Sequence, residues 1–218
     1  MPSALPPTTP LRPQLKSLAP GAVVWRLHRS SRAPTEFNAT LRDGHRTFQP
    51  LTDQGGRFDA ITGDPYGYLY AAADTAGATA EALLRDRPAA TPGFLRRAKA
   101  AGLVLSCLDL CDTLVIAVLH GPGLTAISQD AWVTACGPDQ YGLTREWASA
   151  IRRWAPTASG LEWRARLDND RLAYVFFADR CPTNAFTIRH SYAIDPARPS
   201  IGLRLVQTAL KKHGVTFY

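Results

Sequence analysis

Apolar and polar residues alternate in several short segments of the chain, and this period of two is typical of β-strands. The clearest example is YGYLYAAA (residues 66–73), which begins with tyrosine at every second position. Further strands are predicted at AVVWRLH, ending near Arg26, at residues 102–110 and 114–119, at RLAYVFFAD (residues 171–179), and near residues 186–188. The chain therefore contributes several short strands to its fold.

Other segments repeat apolar residues every three or four positions, as helices do. The first begins after Asp74, whose carboxylate can accept a hydrogen bond from an exposed N–H of the first turn. Glu81 lies beside its apolar stripe, a face of small residues that permits close packing against a sheet: Ala72, Ala76, Ala80 and Leu84. Residues 88–92 carry two prolines and are predicted to end this element.

A second helix is predicted to begin at Thr144 in TREWASAIRRWAP and to stop at Pro156. Trp147, Ile151 and Trp154 fall on one face, which indicates core packing. The stretch IGLRLVQTALKK near the C-terminus is also amphipathic. Short strands mixed with a few helices predict an α+β fold, with little sign of a doubly wound parallel sheet.

The length of 218 residues suits one domain with a substantial core. Residues 1–20 are rich in proline and are predicted to form an extended or poorly ordered arm, followed by a single domain over residues 21–218. The longest apolar run, residues 114–119, is too short to span a bilayer. The N-terminus has no apolar run of signal-peptide length, so we expect a cytoplasmic protein.

The formal net charge is +7 and the sequence pI is about 9.5. Almost all of the 25 basic residues are arginines dispersed along the chain, without the clustered stripe that nucleic-acid binding predicts. Arginine does suit bidentate binding of a diphosphate, although solvated surface charge explains any single arginine as well. The four cysteines and five histidines show no metal-ligand or disulfide spacing, so we expect no metal site.

Candidate chemistry concentrates in residues 24–31 and 55–84. VWRLHRSS contains Arg26, GGRFD contains Arg57, and Tyr70 precedes Glu81 by eleven positions. Cleavage of a glycosidic bond to a cationic base, which leaves as a neutral molecule, needs such parts. An arginine anchors an anion, an aromatic ring stacks on the base, and a carboxylate stabilises the positive transition state.

Each candidate also has a structural interpretation. Arg26 can be a surface charge, and Arg57 can form a salt bridge to Asp59 or Asp64. Glu81 can be a solvated helix residue, although a carboxylate beside a packed alanine face is costly to desolvate. Tyr66, Tyr68 and Tyr70 share one face of their strand, so at least one of them can serve packing alone. Tyr66 joins Tyr70 as a candidate for contact with the substrate.

The order and wording of these motifs resemble the RES family, named for its Arg, Glu and Ser, whose members are toxins that destroy NAD. The resemblance covers residues 21–180. It implies the ADP-ribosyltransferase fold, a mixed split β-sheet with flanking helices. It also implies catalytic roles for Arg26, Tyr70 and Glu81, and binding of the substrate diphosphate or of inorganic phosphate by Arg57.

One motif departs from the family. In GLEWRARLD, Trp163 stands where the family has Tyr, and Ala165 stands where it has the Ser of its name. A serine hydroxyl there can bind substrate or orient the glutamate, and alanine can do neither. Ala165 and its neighbours Arg164 and Arg166 are therefore predicted to line the site, with the arginines available to bind phosphate.

The resemblance implies an NAD⁺ phosphorylase, which releases nicotinamide and forms ADP-ribose-1″-phosphate from inorganic phosphate, with no cofactor and no catalytic metal. Water or a protein as acceptor are alternatives, as is a RES-like domain without turnover that binds a nucleotide or a partner protein. The resemblance further implies a bacterial toxin paired with an Xre-type helix-turn-helix antitoxin. We expect no membrane and no direct nucleic-acid partner, and a homodimer is left open.

Overall fold

The structure, a computed structural model, describes residues 5–44, 55–87 and 93–218. It contains the strands β1 Leu15–Leu18, β2 Val23–Arg29, β3 Tyr68–Ala72, β4 Gly93–Leu95, β5 Leu103–Leu110, β6 Leu114–Val118, β7 Gly160–Ala165, β8 Asp168–Phe177, β9 Phe186–Ile194 and β10 Val215–Phe217. Two α-helices are long, α4 Tyr141–Trp154 and α5 Ile201–Lys212, and three are short, α1 Thr75–Thr79, α2 Pro122–Ala126 and α3 Trp132–Ala135. A π-helical turn, Ala80–Leu84, continues α1, and 3₁₀ turns lie at Arg97–Lys99 and Pro138–Gln140.

Eight strands form one sheet in the order β1-β6-β7-β8-β3-β2-β5-β9. All of its pairs are antiparallel except β6 with β7, and a small parallel pair joins β4 to β10. Helices flank this large mixed sheet. The predicted α+β class is therefore confirmed, and the absence of a doubly wound sheet holds for the part of the chain that the structure describes.

The two faces of the sheet are covered differently. On the face that we call the front, α4 packs over the β7–β8–β3 region, with Trp147 and Ile151 in the core as the periodicity predicts. The α1 and α5 helices pack over the β2–β5 region of the same face. A separate cluster that includes Leu69 and Phe176 covers the back. The front face therefore has two cores, and a cleft can open between them.

Most predicted elements are present, with different ends. Asp74 caps α1 by accepting from Gly77 N at 2.8 Å, as expected. The strand predicted to end near Arg26 continues to Arg29, because β5 pairs along its whole length. The strand near residues 186–188 extends to Ile194 for the same reason. Residues 88–92, predicted to end the first helix, lie outside the described residues.

Two boundaries change the interpretation of the chain. Residues 15–18 of the predicted arm form the edge strand β1, because β6 supplies a full antiparallel partner. Helix α4 begins at Tyr141, one turn before the predicted start at Thr144. Sequence alone misses that turn because Gly142 lowers its helix propensity. Within the described ranges, no helix has the length and apolar character needed to cross a membrane.

Candidate active site

Glu81 lies on the π-helical turn that follows α1. Such single wide turns are uncommon and are found frequently at functional sites. The side chain of Glu81 is only 12% exposed. A carboxylate in this position has lost most of its water, so its protein partners determine whether it is held in place.

Two groups hold the Glu81 carboxylate. The backbone N–H of Arg166 donates to Oε1 at 3.1 Å, and Nη1 of Arg57 lies 3.7 Å from Oε2. Arg166 is the first residue of the two-residue turn between β7 and β8, so its N–H is not used by the strand ladder. One carboxylate oxygen is thus fixed by the backbone, and the other lies next to a guanidinium group.

Arg57 is 1% exposed, which is exceptional for an arginine. Its Nη2 donates to the carbonyl of Cys136 at 3.3 Å, whereas Nε and Nη1 have no hydrogen-bond partner among the described residues. The alternative salt bridges to Asp59 and Asp64 are not the ones formed, because Asp59 accepts from Gly56 N and Asp64 pairs with Arg152. Arg57 therefore has spare donor capacity beside Glu81.

The local sequence GGRFD explains how this arginine is placed. A Cβ atom at Gly56 would come within 2.4 Å of Asp59 Oδ1 and 2.5 Å of the Tyr70 hydroxyl, so only glycine fits. The Tyr70 hydroxyl donates to Asp59 at 2.8 Å and accepts from Phe58 N at 2.9 Å. Burial raises the pKa of Tyr70 well above its ordinary value, and the nearby Asp59 carboxylate raises it further. Tyr70 stays neutral and ties the Arg57 loop to β3.

A cleft of about 190 Å³ opens above Glu81, between the two cores of the front face. Aromatic side chains form much of its wall, and Tyr70 and Trp163 meet edge to face with ring centroids 6.1 Å apart. The lining residues are Trp25, Leu27, Tyr70, Ala71, Ala78, Glu81, Ala82, Arg85 and Trp163. The site thus combines aromatic walls with one carboxylate and flanking guanidinium groups, which suits a flat aromatic ligand joined to an anion.

The prediction for Arg26 is corrected by the structure. Successive residues of β2 face opposite sides of the sheet, so Trp25 and Leu27 line the cleft and Arg26 lies on the back face. Its Nη1 donates to the carbonyls of Pro34 and Glu36, at 2.7 and 2.8 Å. Burial lowers the pKa of Arg26 to about 10. Arg26 holds the loop that follows β2 and has no contact with the cleft.

Two further candidates lie away from the cleft. Tyr66 is a core residue of the front face, since its hydroxyl donates to Phe58 O at 3.0 Å and the guanidinium of Arg152 stacks on its ring. Arg164 is exposed on β7, where its Nη1 donates to Asn169 O at 2.6 Å. Tyr66, Tyr68 and Tyr70 lie in the same core cluster of the front face, as their predicted shared face requires. Tyr66 is a packing residue among them.

Ala165 is fully buried at the end of β7, on the strand whose Trp163 lines the cleft. The orienting role expected of a serine hydroxyl is filled by the neighbouring Arg166 N–H, which holds Glu81. The Arg166 side chain donates to Arg85 O at 2.8 Å and so braces the last turn of the Glu81 segment. The site retains a donor to Glu81 without the family serine.

Sequence reasoning missed Trp25 and Arg85, and it noted Trp163 only as a replacement. Alternation along β2 was a usable signal for Trp25, because an aromatic residue next to Arg26 must face the other side of the sheet. Arg85 follows Glu81 by four positions, the spacing of neighbours on a helix. Within the described part of the chain, no three His, Cys, Asp or Glu side chains are grouped closely enough to hold a metal ion.

Comparison with known proteins agrees with this architecture. The family described as RES domain matches residues 23–196, so the chain belongs to the RES domain family. In fold it is similar to a chain of the crystal structure of the M. tuberculosis MbcT–MbcA toxin–antitoxin complex. That similarity has a TM-score of 0.55 at 14% identity and covers 90% of this chain and 92% of that chain. The search of curated proteins found no match to the present chain.

Proposed function

We propose that this protein is a RES toxin that cleaves the nicotinamide–ribose bond of NAD, with inorganic phosphate as the preferred acceptor. The observation that carries the proposal is the environment of Glu81. Its carboxylate lies in an aromatic cleft, fixed by the Arg166 N–H at 3.1 Å and flanked by Arg57 at 3.7 Å. A carboxylate held in this way can stabilise the positive charge that develops on the ribose.

The reaction needs few groups. The bond between ribose C1″ and the pyridinium nitrogen breaks, and its electron pair moves to the nitrogen, so nicotinamide leaves as a neutral molecule. No general acid is required. A phosphate oxygen then forms the new bond to C1″, giving ADP-ribose-1″-phosphate. The residues of this chain stabilise the cationic sugar, orient the ring and hold the phosphate oxygens.

The shape of the cleft supports this assignment. Its volume, about 190 Å³, is below the roughly 300–1,000 Å³ usual for pockets that enclose a whole ligand. We infer that it takes the nicotinamide-ribose end of NAD and leaves the adenosine end outside. Tyr70, Trp25 and Trp163 offer π-faces to the cationic pyridinium ring, which such faces attract. Arg85 lines the cleft, and Arg57 lies 3.7 Å from Glu81 with two unused donors, so we infer that these two residues bind the phosphate oxygens.

Membership of the RES domain family and the likeness to a chain of a toxin–antitoxin complex support a partner protein for this chain. We propose that it is neutralised by an antitoxin with an Xre-type helix-turn-helix domain and that it acts in the cytoplasm. Co-expression with the protein encoded next to it tests the pairing. Rescue of growth and co-purification are the expected result, and growth arrest despite expression of that neighbour contradicts it.

The reaction is tested by incubating the purified protein with NAD, with and without inorganic phosphate, and identifying the products by mass. We expect nicotinamide and ADP-ribose-1″-phosphate, with turnover dependent on phosphate. ADP-ribose alone would assign water as acceptor, and a mass increase on a protein would assign ADP-ribosylation. Retained NAD without products would show a RES-like binding protein and would contradict the enzymatic proposal.

A further inference from the structure

The first residue of α4 contacts both guanidinium groups near Glu81. Tyr141 is 1% exposed, and its ring centroid lies 5.2 Å from Cζ of Arg57 and 5.6 Å from Cζ of Arg85. Two cations near one ring repel each other, but the electron-rich π-system of the ring attracts each of them. The ring is therefore a shared contact of the two guanidinium groups.

The Tyr141 hydroxyl extends this arrangement. It donates to Asp86 Oδ1 at 3.2 Å, and Asp86 in turn accepts from Nε and Nη2 of Arg85, at 3.0 and 3.3 Å. Burial raises the pKa of Tyr141 to about 12, so the hydroxyl keeps its proton and acts as a donor. Burial alone would raise the pKa of Asp86. The hydrogen bond and charge of Arg85, the hydrogen bond from Tyr141 and the charge of Arg57 together outweigh burial and hold that pKa below the ordinary value.

The same turn of α4 also holds the backbone of the arginine loop. The Thr144 hydroxyl donates to Arg57 O at 2.7 Å, and Nε of Arg145 donates to Gly56 O at 3.1 Å. Backbone and guanidinium of Arg57 are thus both fixed by one helical turn. The guanidinium nevertheless keeps Nε and Nη1 without a hydrogen-bond partner among the described residues. The site therefore holds a buried, positioned cation with unused donors.

We propose that Tyr141 is the positioning residue that holds Arg57 and Arg85 together as one subsite for phosphoryl oxygens beside Glu81. The role of this subsite in catalysis rests on the proposed function, but its affinity for an anion does not. Arg57 supplies the Nε and Nη1 donors that have no partner among the described residues, and Arg85 adds a second positive charge while its Nε and Nη2 hold Asp86. Together they can bind several oxygens of a diphosphate or a phosphate, which a single lysine cannot do.

The experiment measures the affinity for inorganic pyrophosphate by isothermal titration calorimetry. We expect Tyr141→Leu to weaken binding about tenfold, because both cation–π contacts are lost, and Tyr141→Phe to stay within about threefold of wild type, because the ring remains. Tyr141→Met is a second variant that lacks the ring, and it should weaken pyrophosphate binding as Tyr141→Leu does. Equal weakening by Phe and Leu would overturn the role of the ring.

A double-mutant cycle separates positioning from general loss of structure. In an Arg85→Gln background we expect Tyr141→Leu to weaken pyrophosphate binding by at most about threefold, because one of the two groups it holds is gone. Strictly additive effects would overturn the proposal. Phe186→Leu is the matched control, because it removes a buried aromatic ring on the back face whose centroid lies 4.9 Å from that of Phe176. This variant should leave the affinity for pyrophosphate unchanged.

Nicotinamide release by the wild-type protein is measured in parallel. Protein that binds pyrophosphate but releases no nicotinamide contradicts the proposed function, and the cycle still tests the subsite. Folded wild-type protein that fails to bind pyrophosphate overturns the subsite itself, whatever its activity toward NAD. In an active protein we expect Tyr141→Leu to raise the KM for NAD and for phosphate, and Tyr141→Phe to restore both.

Discussion

Arg26 and Arg57 are both buried arginines, and they lie on opposite faces of the same sheet. Arg26 on the back donates to two backbone carbonyls, at 2.7 and 2.8 Å. Arg57 on the front has one carbonyl partner, two unused donors and a carboxylate 3.7 Å away. Burying a guanidinium without full hydrogen bonding costs stability, so the unsatisfied one needs another explanation.

The comparison shows that burial alone does not separate the two arginines, and that Arg57 differs from Arg26 in its unused donors and in the carboxylate beside it. The back face repeats the satisfied pattern at His28. Its Nδ1 donates to Arg29 O at 2.9 Å, and its Nε2 lies 2.9 Å from the Ser106 hydroxyl, which in turn lies 2.8 Å from Ser191. His28, Ser106 and Ser191 thus form a row of hydrogen bonds on the back face in which each named group has a partner. On the front face, by contrast, Nε and Nη1 of Arg57 have no hydrogen-bond partner among the described residues.

The largest expected effect is at Glu81. Glu81→Gln keeps the shape of the side chain but removes the charge that stabilises the cationic sugar, so turnover of NAD should fall by about 10³-fold. The measurement is steady-state nicotinamide release, with circular dichroism to show equal folding. Near wild-type turnover in the variant would remove Glu81 from the reaction and would leave the front face without its catalytic carboxylate.

Arg57 is the next test. We expect Arg57→Ala to lower kcat/KM for NAD by about 10²-fold, and Arg57→Lys to fall between Ala and wild type, because a point charge replaces the planar fork. Both variants are compared in the nicotinamide-release assay at matched folded fraction. Equal activity of all three proteins would show that the unused donors serve no substrate.

Arg26→Ala is the matched control for Arg57→Ala and tests the other side of the comparison. It removes two charge-assisted hydrogen bonds, so the free energy of unfolding should fall by about 1–3 kcal/mol. Turnover per folded molecule should stay within about twofold of wild type, because Arg26 does not contact the cleft. Urea denaturation and the release assay together check this. If the variant were as stable as wild type but bound NAD more weakly, Arg26 would be a substrate-binding residue and this prediction would be wrong.

The contrast also shows how far sequence reasoning reaches. Alternation and helical periodicity predicted six of the ten described strands, the core tryptophans and the class of fold, because these depend on local patterns. Tyr70 and Glu81 were placed in the cleft by motif spacing within one continuous unit. Arg26 was wrongly placed in the cleft because the motif VWRLHRS was assigned to the site as one unit. Successive side chains of a strand point to opposite faces of the sheet, so only every second residue of the motif can reach the cleft.

Other site residues could not be found in this way. Tyr141 reaches Arg57 only through the packing of α4 on the sheet, across more than eighty positions of sequence. The donor to Glu81 is a backbone N–H, and every residue except proline has one, so no residue type marks it. Contacts that depend on tertiary packing or on the backbone leave no pattern in the side chains.

His28 predicts a pH dependence that belongs to the back face. Burial lowers the pKa of His28, Arg26 lowers it further, and the carbonyl of Arg29 and Glu36 oppose them. A histidine with a lowered pKa binds fewer protons when folded, so stability is lost as the pH falls from the unfolded pKa, about 6.5, toward the folded one. His28→Gln should remove this component. Urea denaturation at several pH values measures it, and identical pH profiles would contradict it.

The smallest effect is expected at Ala165, where the family serine is absent. If a serine hydroxyl were needed to orient Glu81, Ala165→Ser would raise turnover by roughly tenfold, the value of one good hydrogen bond in the transition state. The structure gives that orientation to the Arg166 N–H instead, and no side-chain substitution deletes a backbone donor except proline. We therefore expect Ala165→Ser to change nicotinamide release by less than about threefold. A tenfold gain would show that the backbone donor is insufficient, and a large loss would show that the buried position cannot accept a hydroxyl group.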